Sequence, residues 1–334
     1  MKSNLPAKRS GTGVNRRTAI LGGMAGAAAL MGQRSAFAQK YPSRPITIVV
    51  PYSPGGSTDV IARVIASKLN TLLDGVVIVE NKPGAAGAIG AVSVARAKPD
   101  GYTFLIAPSG ITALLPLTVE PAPFGPDDFA PVASMHTQPL VLVARSNGGY
   151  RSLDELRTAS KAGKWITMGE SGLGNTAHYC SFQLGKEMEI QFSSVPYKGG
   201  APQSLAILNG EVDLGFLAGA DAAPQIESGA MRALLVSTKN RSAVFPDVPP
   251  LSQFGLNEPD IESWNALYAP RGVPDEAVAK VGAAVATIYG SGALDKFLAG
   301  SEKISRSPAE IMAHLKSDTE KFRRFVQLSG FRRS

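Results

Sequence analysis

The first three strand-like runs of this chain each end in a glycine-bearing loop, and the first two loops open helix-like segments. That order commits the chain to a parallel sheet with helices on its faces. Ile46–Val50 is a continuous β-branched run, the pattern of a strand buried on both faces. In Asp59–Leu73, the residues Val60, Val64, Ile65, Leu69 and Leu72 fall near one helical stripe. Val76–Glu80 reads as a second strand, Ala86–Ala97 as a second helix and Tyr102–Ala107 as a third strand.

The middle repeats the theme. Leu140–Arg145, Trp165–Gly169, Val212–Leu217 and Ala233–Thr238 read as strands, and Ser152–Ala162, Thr176–Glu187 and Pro202–Leu208 as helices. A strand-rich block near 245–270 precedes a helical tail at Pro274–Tyr289, Gly292–Leu298 and Ala309–Leu328. The 334 residues give room for two domains. The expected fold is α/β with mixed, mostly parallel sheets in two lobes, the chain crossing between them near His136–Leu140 and Thr238–Asn240. One lobe comprises 39–137 and 239–334, the other 138–238.

Four loops follow strands and open helices, the place where open α/β sheets bind ligands. In Pro51-Tyr52-Ser53-Pro54-Gly55-Gly56-Ser57-Thr58-Asp59, two glycines allow close backbone approach and the last three residues can cap a helix. The unpaired N–H groups of a helix start suit an anion, although a plain capped turn reads the same way. No Gly-Lys-Ser/Thr follows, so it is not a P-loop. Asn81-Lys82-Pro83-Gly84-Ala85-Ala86-Gly87 offers a second such start, and the two are expected to aim at one point; Ser109 is expected to face the same cleft. Ser171-Gly172-Leu173-Gly174-Asn175-Thr176-Ala177-His178 matches G-x-G-x-x-A, but the acidic residue expected after the next strand is missing. The fourth loop carries Tyr197 and Lys198.

Residues 1–38 hold six basic residues and no acidic one; they pass from a basic start ending at Arg16-Arg17, through an apolar run, to Ala36-Phe37-Ala38. That is the layout of an export signal, by a general or a twin-arginine route, and it places the mature chain in a periplasm. Removing those six from 34 Lys and Arg leaves 28 against 27 Asp and Glu, so the net charge of +7 gives no basis for a nucleic-acid partner. Cys180 is the single cysteine, and His136, His178 and His314 lack metal-ligand spacing, so no disulfide framework, metal site or cofactor is expected. No G-x-S-x-G elbow occurs, and His178 and Cys180 stand two apart, where helical side chains diverge. An exported α/β enzyme acting on carboxylates through Ser171 or Cys180 is the alternative.

YPSRPITIVVPYSPGGSTDVIAR (41–63), VENKPGAAGAIGA (79–91), KPDGYTFLIA (98–107), FAPVA (129–133), VPYKGGAP (195–202), LNGEVDL (208–214), PDVPPLSQFG (246–255) and APRGVP (269–274) together resemble the Bug-type extracytoplasmic solute receptors, the binding components of tripartite tricarboxylate transporters. The resemblance implies a two-lobed (type II-like) periplasmic binding protein closing on a small carboxylate: a di- or tricarboxylate, an aromatic acid or an acidic amino acid. It implies delivery to a membrane permease or a sensor, a monomer, and no catalysis. Carried over by position, it points to Tyr52, Ser53, Pro54, Gly55, Gly56 and Asp59; to Gly84, Ala85, Ala86 and Gly87; and to Gly174, Asn175, Thr176, His178 and Tyr197. Ala86 stands where glycine is common in that family, and Asn175 where a small hydroxyl residue is common.

The exported protein is expected to begin within a few residues of Gln39. Intact-mass spectrometry of protein recovered from the periplasm checks this; a retained leader would remove the step.

Overall fold

The computed structural model describes residues 41–256 and 260–331; the expected leader, 1–38, lies outside them. The chain runs β1 (Ile46–Val50), α1 (Ser57–Leu72), β2 (Val77–Asn81), α2 (Ala88–Ala95) and β3 (Thr103–Pro108), then a π-turn at Gly110–Leu114 and the short α3 (Leu115–Thr118). It continues with β4 (Phe129–Arg145), α4 (Leu153–Lys161), β5 (Ile166–Glu170), α5 (Thr176–Met188), β6 (Phe192–Pro196), α6 (Gly200–Asn209), β7 (Leu214–Ala218), α7 (Gly219–Glu227) and β8 (Met231–Val236). The last elements are β9 (Glu262–Pro270), α8 (Asp275–Gly290), β10 (Glu302–Lys303) and α9 (Pro308–Ser329).

The strands form one sheet in the order β2-β1-β3-β9-β4-β7-β5-β6, with β8 and β10 also on β4. The parallel pairs expected from the strand–helix alternation sit on the two wings, β1 between β2 and β3, and β5 between β6 and β7. The centre is antiparallel: β3 pairs β9, β9 pairs β4, and β4 pairs β7 and β8.

Strand β4 joins the wings. Its Phe129–Pro139 stretch pairs with β9, and Leu140–Ala144 pairs with β7. The sequence marks only the second stretch, because Pro131, Ser134, His136, Thr137, Gln138 and Pro139 interrupt any apolar pattern in the first. The ladder takes these residues with register shifts at Pro131/Ala133 and Ser134/His136. Gln138 Oε1 accepts the Ala220 N–H at 2.9 Å and is 3.1 Å from the Ser301 hydroxyl, so its buried amide oxygen is satisfied.

Apolar side chains pack on both faces of the first wing, with Ile48, Ile61 and Phe104 in one cluster and Val49, Ala91 and Leu105 in another. In the tail, the helix expected at Gly292–Leu298 is a 3-10 turn, Asp295–Phe297. Helix α9 starts in a capping box: Ser307 Oγ accepts the Glu310 N–H, and the Glu310 carboxylate accepts the Ser307 N–H.

At the end of β5, Glu170 is fully buried, and its Oε2 has no hydrogen-bond partner among the described residues. Burial pushes its carboxyl up to about 8, against a weaker opposing effect of the Ser181 and Ser194 hydroxyls. The group is therefore protonated at neutral pH in the fold, while in the unfolded chain it ionises near 4.5. A raised folded-state value gives stability that is complete below the unfolded value and is lost as pH rises through the folded one. Unfolding free energy from urea titration is expected to fall between pH 4.5 and about 8, by at most roughly 5 kcal/mol from this group. Glu170→Gln should flatten that slope; an unchanged slope would show that the carboxyl is not held neutral.

Candidate functional site

The wings meet along a seam of strand-to-helix loops. Ser53 N–H, after β1, donates to Lys198 O, before α6, at 2.9 Å. Ser57 N–H, the first of α1, donates to Asp221 Oδ1, in the first turn of α7, at 2.7 Å. Tyr52 lies against Gly199, whose φ is +113° and where an added Cβ would come within 2.9 Å of the tyrosine Cβ. Only glycine fits both demands. Ala86 closes in the same way on Gly172.

Three of the helix starts facing this seam, those of α1, α6 and α7, carry no caps of their own, whereas that of α5 is capped by Asn175. The N-caps of α1, α6 and α7 are Gly56, Gly199 and Ala218, none with a side-chain cap hydrogen bond. Helix α4, by contrast, is capped by Ser152. The first N–H groups of a helix have no partner inside it, so at α1 they are left for groups across the seam. Of the residues expected to cap α1, Asp59 sits inside its first turn and takes the Gly55 N–H at 3.0 Å. Burial alone raises its carboxyl, but Arg63, the Gly55 N–H and Asn81 outweigh it and hold it below the usual range.

Between the wings is a cavity in which water-sized molecules have about 50 Å³. Tyr52, Ser53, Gly56, Asp59, Asn175 and Thr176, all expected at the site, line it. Ser57, Gln138, Gln203, Asp221, Ser263 and Asn265 line it too, and were not expected. Among the described residues no Lys, Arg or His lines it. One of the missed residues carried a readable signal: Asp221 lies in the first turn of a helix that directly follows a strand.

The second glycine loop does not reach this cavity. Gly84, Ala85, Ala86 and Gly87 line a neighbouring one of about 250 Å³ with Tyr197. Tyr52 and Ser171 line both, so they stand between the two. Within that loop Ala85 and Ala86 have φ of +48° and +58°, a conformation costly for any residue with a Cβ. The expected single focus of two helix starts is thus two adjacent chambers.

Other expected residues are placed elsewhere. Pro54 and Gly55 are exposed, and Gly55, with φ +95°, spends its N–H on Asp59. Ser109 is turned into the core, its Oγ without a partner among the described residues, while Pro108 and Gly110 on either side line the cavity. Gly174 and His178 form the wall behind: His178 Nδ1 accepts the Gly174 N–H at 3.0 Å, and the ring packs on Phe331 at 4.9 Å. Burial pushes His178 down to about 4, so it is a neutral acceptor that shapes the loop.

The features weighed for other chemistry are engaged structurally. Asn175 Oδ1 accepts the His178 N–H at 3.1 Å, so the G-x-G-x-x-A loop opens a helix already capped by its own side chain. Ser171 Oγ accepts from Asn175 Nδ2 at 3.1 Å. The Cys180 thiol is buried, and burial, with Glu170 nearby, pushes it far up, away from a reactive thiolate. The arrangement offers backbone N–H groups to an anion and side-chain oxygens to a donor.

A family profile described as "Tripartite tricarboxylate transporter family receptor" matches residues 61–330. The chain is 36% identical over 246 residues to Protein BugT of Bordetella pertussis, covering 72% of this chain and 75% of BugT. Among solved structures it resembles MatC from Rhodopseudomonas palustris with bound malate, at 28% identity and a TM-score of 0.80, covering 86% of this chain and 100% of that one. It also resembles R. palustris Rpa4515 with adipate, at 29% identity and a TM-score of 0.81, covering 87% and 99%.

Asp221 is the charged group that crosses the seam. Burial raises its carboxyl, against the opposing bonds from Ser57. Asp221→Ala leaves the Ser57 N–H without that acceptor, and a loss of about 1–3 kcal/mol in unfolding free energy is expected by urea titration. An unchanged value would mean the cross-seam bond adds nothing.

Proposed function

The chain belongs to the tripartite tricarboxylate transporter receptor family, and on that premise we propose that it is a periplasmic receptor that captures a small organic carboxylate by closing two lobes. One carboxylate of the ligand is held by the first-turn N–H groups of α1, chiefly those of Thr58 and Asp59, with Tyr52, Ser53 and Gly56 around it. The observation that carries this is the uncapped start of α1 on the wall of a cavity lined by no cationic side chain. A helix start supplies about half a unit of positive charge, which favours an anion without an arginine. That malate is bound by MatC and adipate by Rpa4515 supports the ligand class.

The lobes are 39–137 with 239–334, and 138–238. The change of partner along β4, from β9 to β7 between Pro139 and Leu140, supports the first crossing. The second is supported by Ser237, whose hydroxyl accepts the Leu140 N–H and donates to Ile261 O. Closing brings Ser53 to Lys198 and Ser57 to Asp221, and shuts water out, which strengthens the hydrogen bonds to the ligand. The leader exports the chain and is removed. The closed receptor, a monomer, is then read by a membrane permease or a sensor, and no bond in the ligand is broken. Among the described residues no helix is long and apolar enough to cross a membrane, which accords with a receptor that meets its partner from outside the bilayer.

A thermal-shift screen with di- and tricarboxylates, aromatic acids and acidic amino acids tests this. A ligand at a hundred times its dissociation constant should stabilise by about 2.7 kcal/mol. Gly56→Val tests the placement. Gly56 has an ordinary φ of −81°, and its added Cβ would lie 3.5 Å from Ala201 N and 3.7 Å from Asp221 Oδ1, so valine branches crowd the seam while leaving each lobe intact. Affinity by calorimetry should fall roughly tenfold or more. Full affinity in the folded variant would move the ligand away from this helix start.

A further inference from the structure

Gln203 is fully buried in α6 and lines the cavity. Its Nε2 donates to Gly169 O at 2.7 Å and to Phe216 O at 3.0 Å. Those carbonyls stand where the β5–β7 ladder, last paired at Gly169↔Gly215, gives out. A carbonyl only accepts, so the orientation of the amide is fixed: the NH2 end must face them and Oε1 must face away. Oε1 has no hydrogen-bond partner among the described residues. A buried amide oxygen left this way costs about 1–3 kcal/mol, so a ligand that fills the cavity without reaching it carries that penalty. The other side chains around the cavity lean the same way. Asn265 Oδ1 is likewise unpartnered, its Nδ2 lying 3.1 Å from His136 Nε2, and Asp221 adds a carboxylate.

Resting on the carboxylate-receptor reading above, we infer that the ligand carries a hydrogen-bond donor, a hydroxyl or an ammonium group, which meets Gln203 Oε1 while its carboxylate meets the start of α1. The cavity thus selects hydroxy- or amino-carboxylates over plain acids of the same skeleton. A site built to bond a donor discriminates strongly against the analogue that lacks it, because the oxygen is then sealed in unpaired.

The test is calorimetry on the purified exported protein with three matched sets: succinate, malate and aspartate; glutarate, 2-hydroxyglutarate and glutamate; hydrocinnamate, phenyllactate and phenylalanine. In any set that binds, a donor-bearing member should bind at least about tenfold more tightly than the plain acid. Preference for the hydroxy or the amino member identifies the donor. Gln203→Leu should bring the members of that set within about twofold of one another, the plain acid gaining affinity because no buried oxygen is then sealed in unpaired, and the donor-bearing member losing it. A plain acid bound as tightly as its substituted partners overturns the inference, and so does an unchanged preference in the folded variant. If Gln203→Leu does not fold, the ligand sets decide alone. Binding of none of these acids, together with no response in the thermal-shift screen, would overturn the carboxylate-receptor reading as well, whereas tight binding of plain acids overturns only this one.

Discussion

Helix α1 begins without a partner of its own. Gly56 has no side chain to offer the first turn, and Asp59, which could have turned back on it, is committed to Gly55, Arg63 and Asn81. The N–H groups of that turn must therefore be satisfied by something outside the helix, since leaving them dry is costly. In the closed form part of the answer comes from the opposite wing, as Ser57 N–H meets Asp221. In the proposed function, closure and anion recognition draw on the same few donors. The proposed ligand would use the donors that Asp221 leaves, which makes the fit of the ligand and the closing of the seam parts of one event.

The rest of the fold serves to bring that helix start to the right place. A parallel wing aims its helix starts at the carboxyl ends of its strands. Two such wings face each other only if something fixes their relative orientation, and β4 does this by lending one end to each. Its continuity through Pro139 and Leu140, with Gln138 tied to Ala220 and Ser301, makes the two wings parts of one sheet. A second tie, at Ser237, joins the Leu140 N–H to the Ile261 carbonyl. Opening would bend the chain at these points and leave the ladders on either side whole.

The wings were legible in the sequence because their inner strands are buried on both faces and their helices alternate with the strands, so the periodicities of the chain and of the fold coincide. The β4–β9 joint was not, because its residues follow no period: Pro131, His136 and Gln138 are buried by the ladder around them. The first glycine loop is legible as a strand-to-helix junction, yet glycine count misleads within it. Gly55 bends the chain and faces outward, while Gly56 lines the cavity. Asp221 and Gln203 are neither glycine nor hydroxyl residues, the types that mark the loops in the sequence. The rule that ligands sit where strands pass into helices would have drawn Asp221 in. Gln203 depends on a fact of three dimensions, the point at which the β5–β7 ladder stops.

Burial decides the chemistry of the remaining polar groups, and always in one direction. Glu170 is held protonated, His136 and His178 are held neutral, and the Cys180 thiol is held far from ionising. A hydrolytic centre needs the reverse: a base kept near its working range and bonded to a nucleophile. Here His178 spends Nδ1 on the Gly174 N–H and Ser171 accepts from an asparagine amide. The groups that keep their polarity at the cavity are backbone N–H donors, amide oxygens and Asp221. Such groups form and release hydrogen bonds without changing covalent structure. A cavity that uses them in place of lysine or arginine holds its ligand by geometry more than by charge, which suits a carrier that must also let go.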